Sequence, residues 1–172
     1  MSQYAPALQY LLNFEDPDRT YLESMDNNGG KVIAGINARS FPQAEGEIAA
    51  LPQAQRAAAV AGFYLKTFWN PLKCGALDAQ DVADRVLDMG VDGGMYEAQL
   101  LLQRAINAIH PGTLVVDGDI GPATLEAANG TDPEALLAAY RTERVAFYEQ
   151  LVAQDPQRYN RYKAGWIRRA QA

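Results

Sequence analysis

The 172-residue sequence contains one cysteine and one histidine. A single thiol closes no disulfide within the chain, so stability must come from packing. Cys74 has no adjacent base or basic pair and reads as a buried structural thiol. His110, at a helix end beside Pro111, is explained by the dipole of that helix. With no close-spaced ligand set, neither residue suggests a metal site, and no cofactor is expected. No run of eighteen apolar residues is present, which excludes a membrane-spanning helix. The opening MSQYAPALQYLL lacks a basic leader and a long apolar stretch, so a conventional signal peptide is not expected. Basic charge is scarce as well: 15 Lys and Arg against 21 Asp and Glu give a net charge of −6. Such a chain is a poor non-specific ligand for nucleic acid. The exception is the segment from 140 to 172, with seven basic and three acidic residues. It reads either as the solvated face of terminal helices or as a surface for anionic partners.

What is present is an ordinary globular composition, 48% hydrophobic and 21% charged, with length for one substantial core. Helical periodicity dominates. Residues 4 to 15 form a first helix with Leu8, Leu11 and Leu12 inward. A weak helix follows near 43 to 50, then an alanine-rich one from Pro52 to Trp69. Its aromatic end, Phe63, Tyr64, Phe68 and Trp69, is a packing ridge. Tyr64 and Trp69 carry polar handles that also suit a saccharide cleft. Asp78 and Asp81 suggest a capping box for a helix that Gly90 would stop. Residues 95 to 109 give the clearest helix, broad and apolar on one face. Gly121-Pro122 opens another helix, Asp132-Pro133 a long one to about Val152, and Asp155-Pro156 the last.

The chain is organised around Phe14 to Asn37, FEDPDRTYLESMDNNGGKVIAGIN. An apolar helix ends in Glu15. Eleven residues later Asp26 precedes Asn27-Asn28-Gly29-Gly30, a strong turn signal. Segments 20–22 and 31–33 are expected to pair as a small hairpin. A glutamate at a helix end, one turn beyond buried leucines, gains proton affinity from partial burial. Facing a loop aspartate, it suits glycosidase chemistry: one carboxylic acid protonates the glycosidic oxygen, and a second carboxylate activates water or stabilises charge. The same spacing also fits a surface glutamate and an aspartate that merely starts a turn.

These residues resemble glycoside hydrolase family 108, small lysozyme-like muramidases. That family opens with a helix ending Glu-Gly-Gly and a loop reading Asp-Pro-Gly-Gly-x-Thr-Asn-Tyr-Gly-Ile-Thr. Glu15, Asp26, Gly29-Gly30 and Gly35-Ile36 match. Tyr64 and Phe68-Trp69 resemble a Tyr-x-x-x-Tyr-Trp pattern. Leu87-Asp88, Val91-Asp92 and Gly94 resemble Phe-Asp-x-x-Val-Asn-x-Gly. The run Leu102-Gln103-Arg104-Ala105 is similar to the family, and residues 117 to 125, DGDIGPATL, carry every named position of Asp-Gly-x-Ile-Gly-Pro-x-Thr-Leu. Gly165-Trp166 with Arg168-Arg169 resembles the ending Gly-Trp-x-x-Arg. Departures cluster beside the glutamate: Asp16-Pro17 replaces Gly-Gly, Val32-Ile33-Ala34 replaces Thr-Asn-Tyr, and Asn37 replaces threonine.

The resemblance implies a mainly α, lysozyme-like fold with a small β-hairpin near the cleft. A catalytic region would span 1–92. A helical region, 93–172, would complete the fold and contribute to peptidoglycan binding, although DGDIGPATL also reads as a structural loop lock. It implies cleavage of the β-1,4 bond between N-acetylmuramic acid and N-acetylglucosamine, with Glu15 as acid and Asp26 as its partner. Asp16, Asn28, Asn37, Tyr64, Trp69, Asp88 and Asp92 are the candidate substrate-binding residues. Peptidoglycan glycan strands are the expected partner. A protein made in the cytoplasm would act in the periplasm or outside the cell, which requires a holin or a secretion machinery; a secreted effector would also have an immunity protein. Lytic transglycosylation, a non-catalytic wall-binding or secretion-adaptor protein, and a protein-binding helical scaffold are the alternatives.

Overall fold

The computed structural model describes residues 1–26 and 29–172. The fold is mainly helical with one small antiparallel sheet, as the sequence predicts. Helix α1, Tyr4–Glu15, buries Ala7, Leu8, Leu11 and Leu12, the three-and-four spacing of one helical face. That face packs on α4, Gln80–Asp92. Two polar side chains fix the end of α1. The guanidinium of Arg19 donates to the carbonyls of Leu12 and Asp16, both at 2.7 Å, which satisfies acceptors left open in the last turn. The carboxylate of Asp16 accepts from the amides of Thr20 at 3.1 Å and Tyr21 at 2.7 Å.

Those two amides are therefore unavailable for strand pairing. The first strand lies later than predicted: β1 is Ser24–Met25, paired with β2, Lys31–Ile33, through Ser24↔Val32 and Met25↔Lys31. Strand β3, Ile36–Asn37, pairs with β2 across a tight turn at Ala34-Gly35. Both turn residues have positive φ, 46° and 81°, the conformation that two-residue hairpins favour. Ile33 and Ile36 are fully buried and pin this hairpin to the core.

Helix α2 is Pro42–Ala50 and α3 is Gln53–Tyr64. The chain then widens into a π-helical turn, Leu65–Trp69, where a continuous α-helix is predicted. Helix α4 also departs from expectation at both ends. No side chain caps its start: Asp78 instead accepts from the Met1 ammonium at 2.7 Å, and Asp81 pairs with Arg85 at 3.0 Å. Gly90 does not end it. The helix runs on to Asp92, and a Cβ on Gly90 would lie 2.6 Å from Leu72 Cδ1, so this glycine serves close packing.

Helix α5, Met95–Ile109, is central and packs on both α4 and α7. Helix α6 is Pro122–Gly130, and α7, Pro133–Gln154, is capped by Asp132. The terminal segment, predicted as one helix, is broken: α8, Pro156–Tyr159, a 3₁₀ turn, then α9, Lys163–Gln171, lying on α7. Cys74 is buried as expected, and burial pushes its thiol pKa up. Among the described residues no helix is long and apolar enough to cross a membrane, and no group of acidic, His or Cys residues is placed to hold a metal ion.

Candidate active site

Glu15 ends α1 with a side chain only 16% exposed. Two surfaces enclose its carboxylate. On one side is the β2–β3 turn. A Cβ built on Gly35 would collide with Glu15 Oε2 and lie 2.7 Å from the Tyr64 hydroxyl. Only glycine allows this approach at this φ. The Tyr64 hydroxyl donates to the Ala34 carbonyl at 2.7 Å, bracing the turn from α3. On the other side is Arg169 of α9, whose Nη2 donates to Glu15 Oε1 at 2.5 Å.

Arg169 serves three carboxylates. It also contacts Asp88 at 2.9 Å and Asp92 at 3.3 Å, and its guanidinium stands 4.9 Å from the centre of the Phe14 ring. Asp88 is fully buried, and its second oxygen accepts from the fully buried Arg144 at 2.5 Å. The Tyr148 hydroxyl donates to Asp92. Charge is thus distributed over two arginines from α7 and α9 and three acids from α1 and α4. Burial of ions this deep costs several kcal/mol each unless partners are in place.

The balance sets the proton affinity of Glu15. Burial raises its pKa, Arg169 opposes the rise by charge and hydrogen bond, and the Asp92 and Asp88 carboxylates add to it; the net shift is upward. The Arg169 guanidinium loses solvation, but Asp88, Glu15 and Asp92 outweigh that loss and hold it protonated. An acid of raised pKa is what proton donation near neutral pH needs.

Asp26 approaches the same hairpin from β1. Its Oδ1 accepts from the Gly30 amide at 2.7 Å, and its Oδ2 accepts from Asn37 Nδ2. Asn37 Oδ1 in turn accepts from the Arg39 amide at 2.8 Å. Asp26, Asn37 and the Arg39 guanidinium converge over Gly30, each 3.2–3.3 Å from where a Cβ would stand. The hairpin therefore meets Glu15 at Gly35 and Asp26 at Asn37, two residues apart on one edge.

Several predicted binding residues have other roles. Tyr64 and Trp69 are 1% and 5% exposed. Neither offers a ring to a saccharide: Tyr64 braces the turn, and Trp69 packs on Tyr4 with ring centres 5.5 Å apart. Asp88 has no exposed surface, so it acts through Arg144 and Arg169 rather than on a ligand. Asp16 is 9% exposed and spent on the Thr20 and Tyr21 amides; the carboxylates that raise Glu15 are Asp92 and Asp88. Asp92 and Asn37 stay partly open. Asn28 lies outside the described residues.

The DGDIGPATL loop is held by one buried side chain. Gln103 Oε1 accepts from the Asp117 and Gly118 amides at 3.0 and 2.9 Å. Its Nε2 donates to Asp117 Oδ1 at 2.8 Å and to the Asp119 carbonyl at 3.0 Å. The LQRA and DGDIGPATL motifs are therefore two halves of one lock.

A partly buried acid at a helix end, against a hairpin that carries a second carboxylate, defines a glycoside-hydrolase-type enzyme directed at peptidoglycan when taken with the family matches. Residues 12–94 match the family described as glycosyl hydrolase 108, and residues 97–171 match the one described as predicted peptidoglycan domain. The fold is shared with the structure of Brucella abortus SagA, which is similar over 97% of this chain and 88% of that chain, with a TM-score of 0.71 and 20% identity. No curated protein matches the sequence.

Proposed function

We propose that the protein is an N-acetylmuramidase that hydrolyses the β-1,4 bond between N-acetylmuramic acid and N-acetylglucosamine. The observation that carries this reading is the Glu15 carboxyl, partly buried and raised in pKa, seated against the hairpin that holds Asp26. Protonated Glu15 donates to the glycosidic oxygen as the bond to the leaving sugar lengthens. Positive charge grows at the muramic acid anomeric carbon. Asp26, kept in place by Gly30 and Asn37, stabilises that charge, orients the attacking water and takes the proton that water gives up as the new C–O bond forms. Arg169 then steadies Glu15 as the anion until a proton returns. No step needs a cofactor.

The catalytic region, 1–92, and the helical region, 93–172, belong to the same proposal, and Arg169 crosses their boundary to reach Glu15. The protein acts on the wall from the periplasm or outside, delivered by a holin or a secretion machinery; an immunity protein fits the secreted case.

Mass analysis of muropeptides released from purified peptidoglycan tests the reaction. Wild type should release reducing N-acetylmuramic acid ends, and Glu15→Gln should not. Anhydro-muramic ends would convert the assignment to lytic transglycosylation. Wall binding without any new ends would leave a non-catalytic binder.

A further inference from the structure

Beside the carboxylate cluster, a cleft of about 570 Å³ opens between the end of α1 and the α8–α9 segment, a size typical of ligand sites. Phe14, the neighbour of Glu15, forms one wall, and Tyr162 and Trp166 form an aromatic floor. Trp166 is held flat by Tyr148, with ring centres 5.2 Å apart and planes 23° from parallel. The rim carries three guanidiniums: Arg161, Arg168 and Arg169. Among the described residues lining it Asp92 is the sole acid, and it is engaged by Tyr148 and Arg169.

Arg169 is consumed by its three carboxylates. Arg161 and Arg168 are exposed. Among the described residues neither has a carboxylate partner, and Arg161 only stacks over Tyr162 at 4.7 Å. Two cations without a carboxylate partner thus stand together on one small aromatic cleft. They call for an anionic ligand, and the planar forks of arginine fit carboxylates in pairs. In peptidoglycan the alternating amino sugars are uncharged where the lactyl group is amide-linked to peptide. The carboxylates reside in the peptide stem.

We propose that this cleft binds the acidic peptide stem of the strand being cut, with Arg161 and Arg168 pairing its carboxylates and Trp166 and Tyr162 covering its aliphatic part. This rests on the muramidase reading for its substrate. Because Arg169 both lines the cleft and bonds Glu15, an occupied stem site lies one side chain from the proton donor and sets the register of the strand.

The test compares wild type with the Arg161→Gln/Arg168→Gln double variant on stem-bearing glycan and on glycan stripped of peptides by an amidase, with the lactyl carboxylates so freed converted to neutral amides. Stripping should raise KM about tenfold or more for wild type and leave the double variant's KM unmoved, at least the scale of one lost charge-assisted hydrogen bond. An equal rise in both proteins overturns the proposal. Calorimetric titration with the free stem tetrapeptide gives a second reading that needs no turnover. Binding by wild type, weakened about tenfold or more in the double variant and by added salt, supports the site. Equal binding, or none to wild type, overturns it. Failure of the muramidase reading would appear differently, as absent reducing ends with tetrapeptide binding intact.

Discussion

Arg169, in the last helix, donates to Glu15, at the end of the first, across 2.5 Å. The contact restrains the proton affinity of Glu15, because a neighbouring cation favours the carboxylate form. Replacing Arg169 by Gln should therefore move the high-pH limb of kcat/KM upward, while Arg169→Lys should move it less. The pH profile separates this from mere loss of fold, which lowers the profile without displacing it. An unmoved limb in Arg169→Gln would remove Arg169 from the chemistry.

The raised pKa of Glu15 also predicts a stability trend. A carboxyl that binds its proton more tightly folded than unfolded stabilises the fold at low pH. That contribution is complete below the unfolded pKa and is lost as pH rises through the folded one. Glu15→Gln removes the titration. The difference in Tm, variant minus wild type, should grow in favour of the variant as pH increases from about 4 toward neutrality. A difference that shrinks with pH would mean that the ion pair with Arg169 outweighs burial.

Gly35 tests geometry rather than charge. Gly35→Ala places a methyl group against Glu15 Oε2 and the Tyr64 hydroxyl, at a φ of 81°. The backbone cost is about 1 kcal/mol, so the protein should stay folded. The carboxyl must rotate, and kcat should fall at least about tenfold, as sub-ångström displacement of a proton donor implies. Circular dichroism alongside turnover checks both halves.

Asp88 and Arg144 form a pair with no exposed surface. Arg144→Met leaves Asp88 with Arg169 alone and should cost about 3–5 kcal/mol in urea unfolding. Gln103→Leu unlocks the DGDIGPATL loop by removing the acceptor of the Asp117 and Gly118 amides; about 1–1.5 kcal/mol is expected, since these loop groups recover water. A loss below 0.5 kcal/mol, roughly the level of a neutral surface change, would show that the loop holds without Gln103.

The helices were legible because periodicity records burial directly. Leu8, Leu11 and Leu12 announced both α1 and the inward side of Glu15. Strand β1 starts later than the sequence suggests because the side chain of Asp16 withdraws the Thr20 and Tyr21 amides from pairing, an effect invisible to alternation patterns. Gly90 read as a stop because its neighbour in space, Leu72, is remote in sequence. Of the candidate site, local pattern and resemblance single out Glu15 and Asp26, whereas the buried placement of Tyr64, Trp69 and Asp88 cannot be read from them. An aromatic or an acid looks the same in sequence whether it faces a cleft or supports another side chain. Arg169 was present in the matched terminal motif without a role. Its signal was an arginine near a lone glutamate's missing counter-charge, which only tertiary contact reveals.

The Glu15–Arg169 bond joins positions 154 residues apart. Before α9 docks, Glu15, Asp88 and Asp92 would crowd together with only Arg144 to offset them, so the arrangement gains nothing from forming piecemeal. Closing so long a loop is worthwhile only once the intervening helices have already packed. The surroundings of Glu15 are consequently complete only with the last helix in place, and a half-folded or truncated chain carries the acid without them.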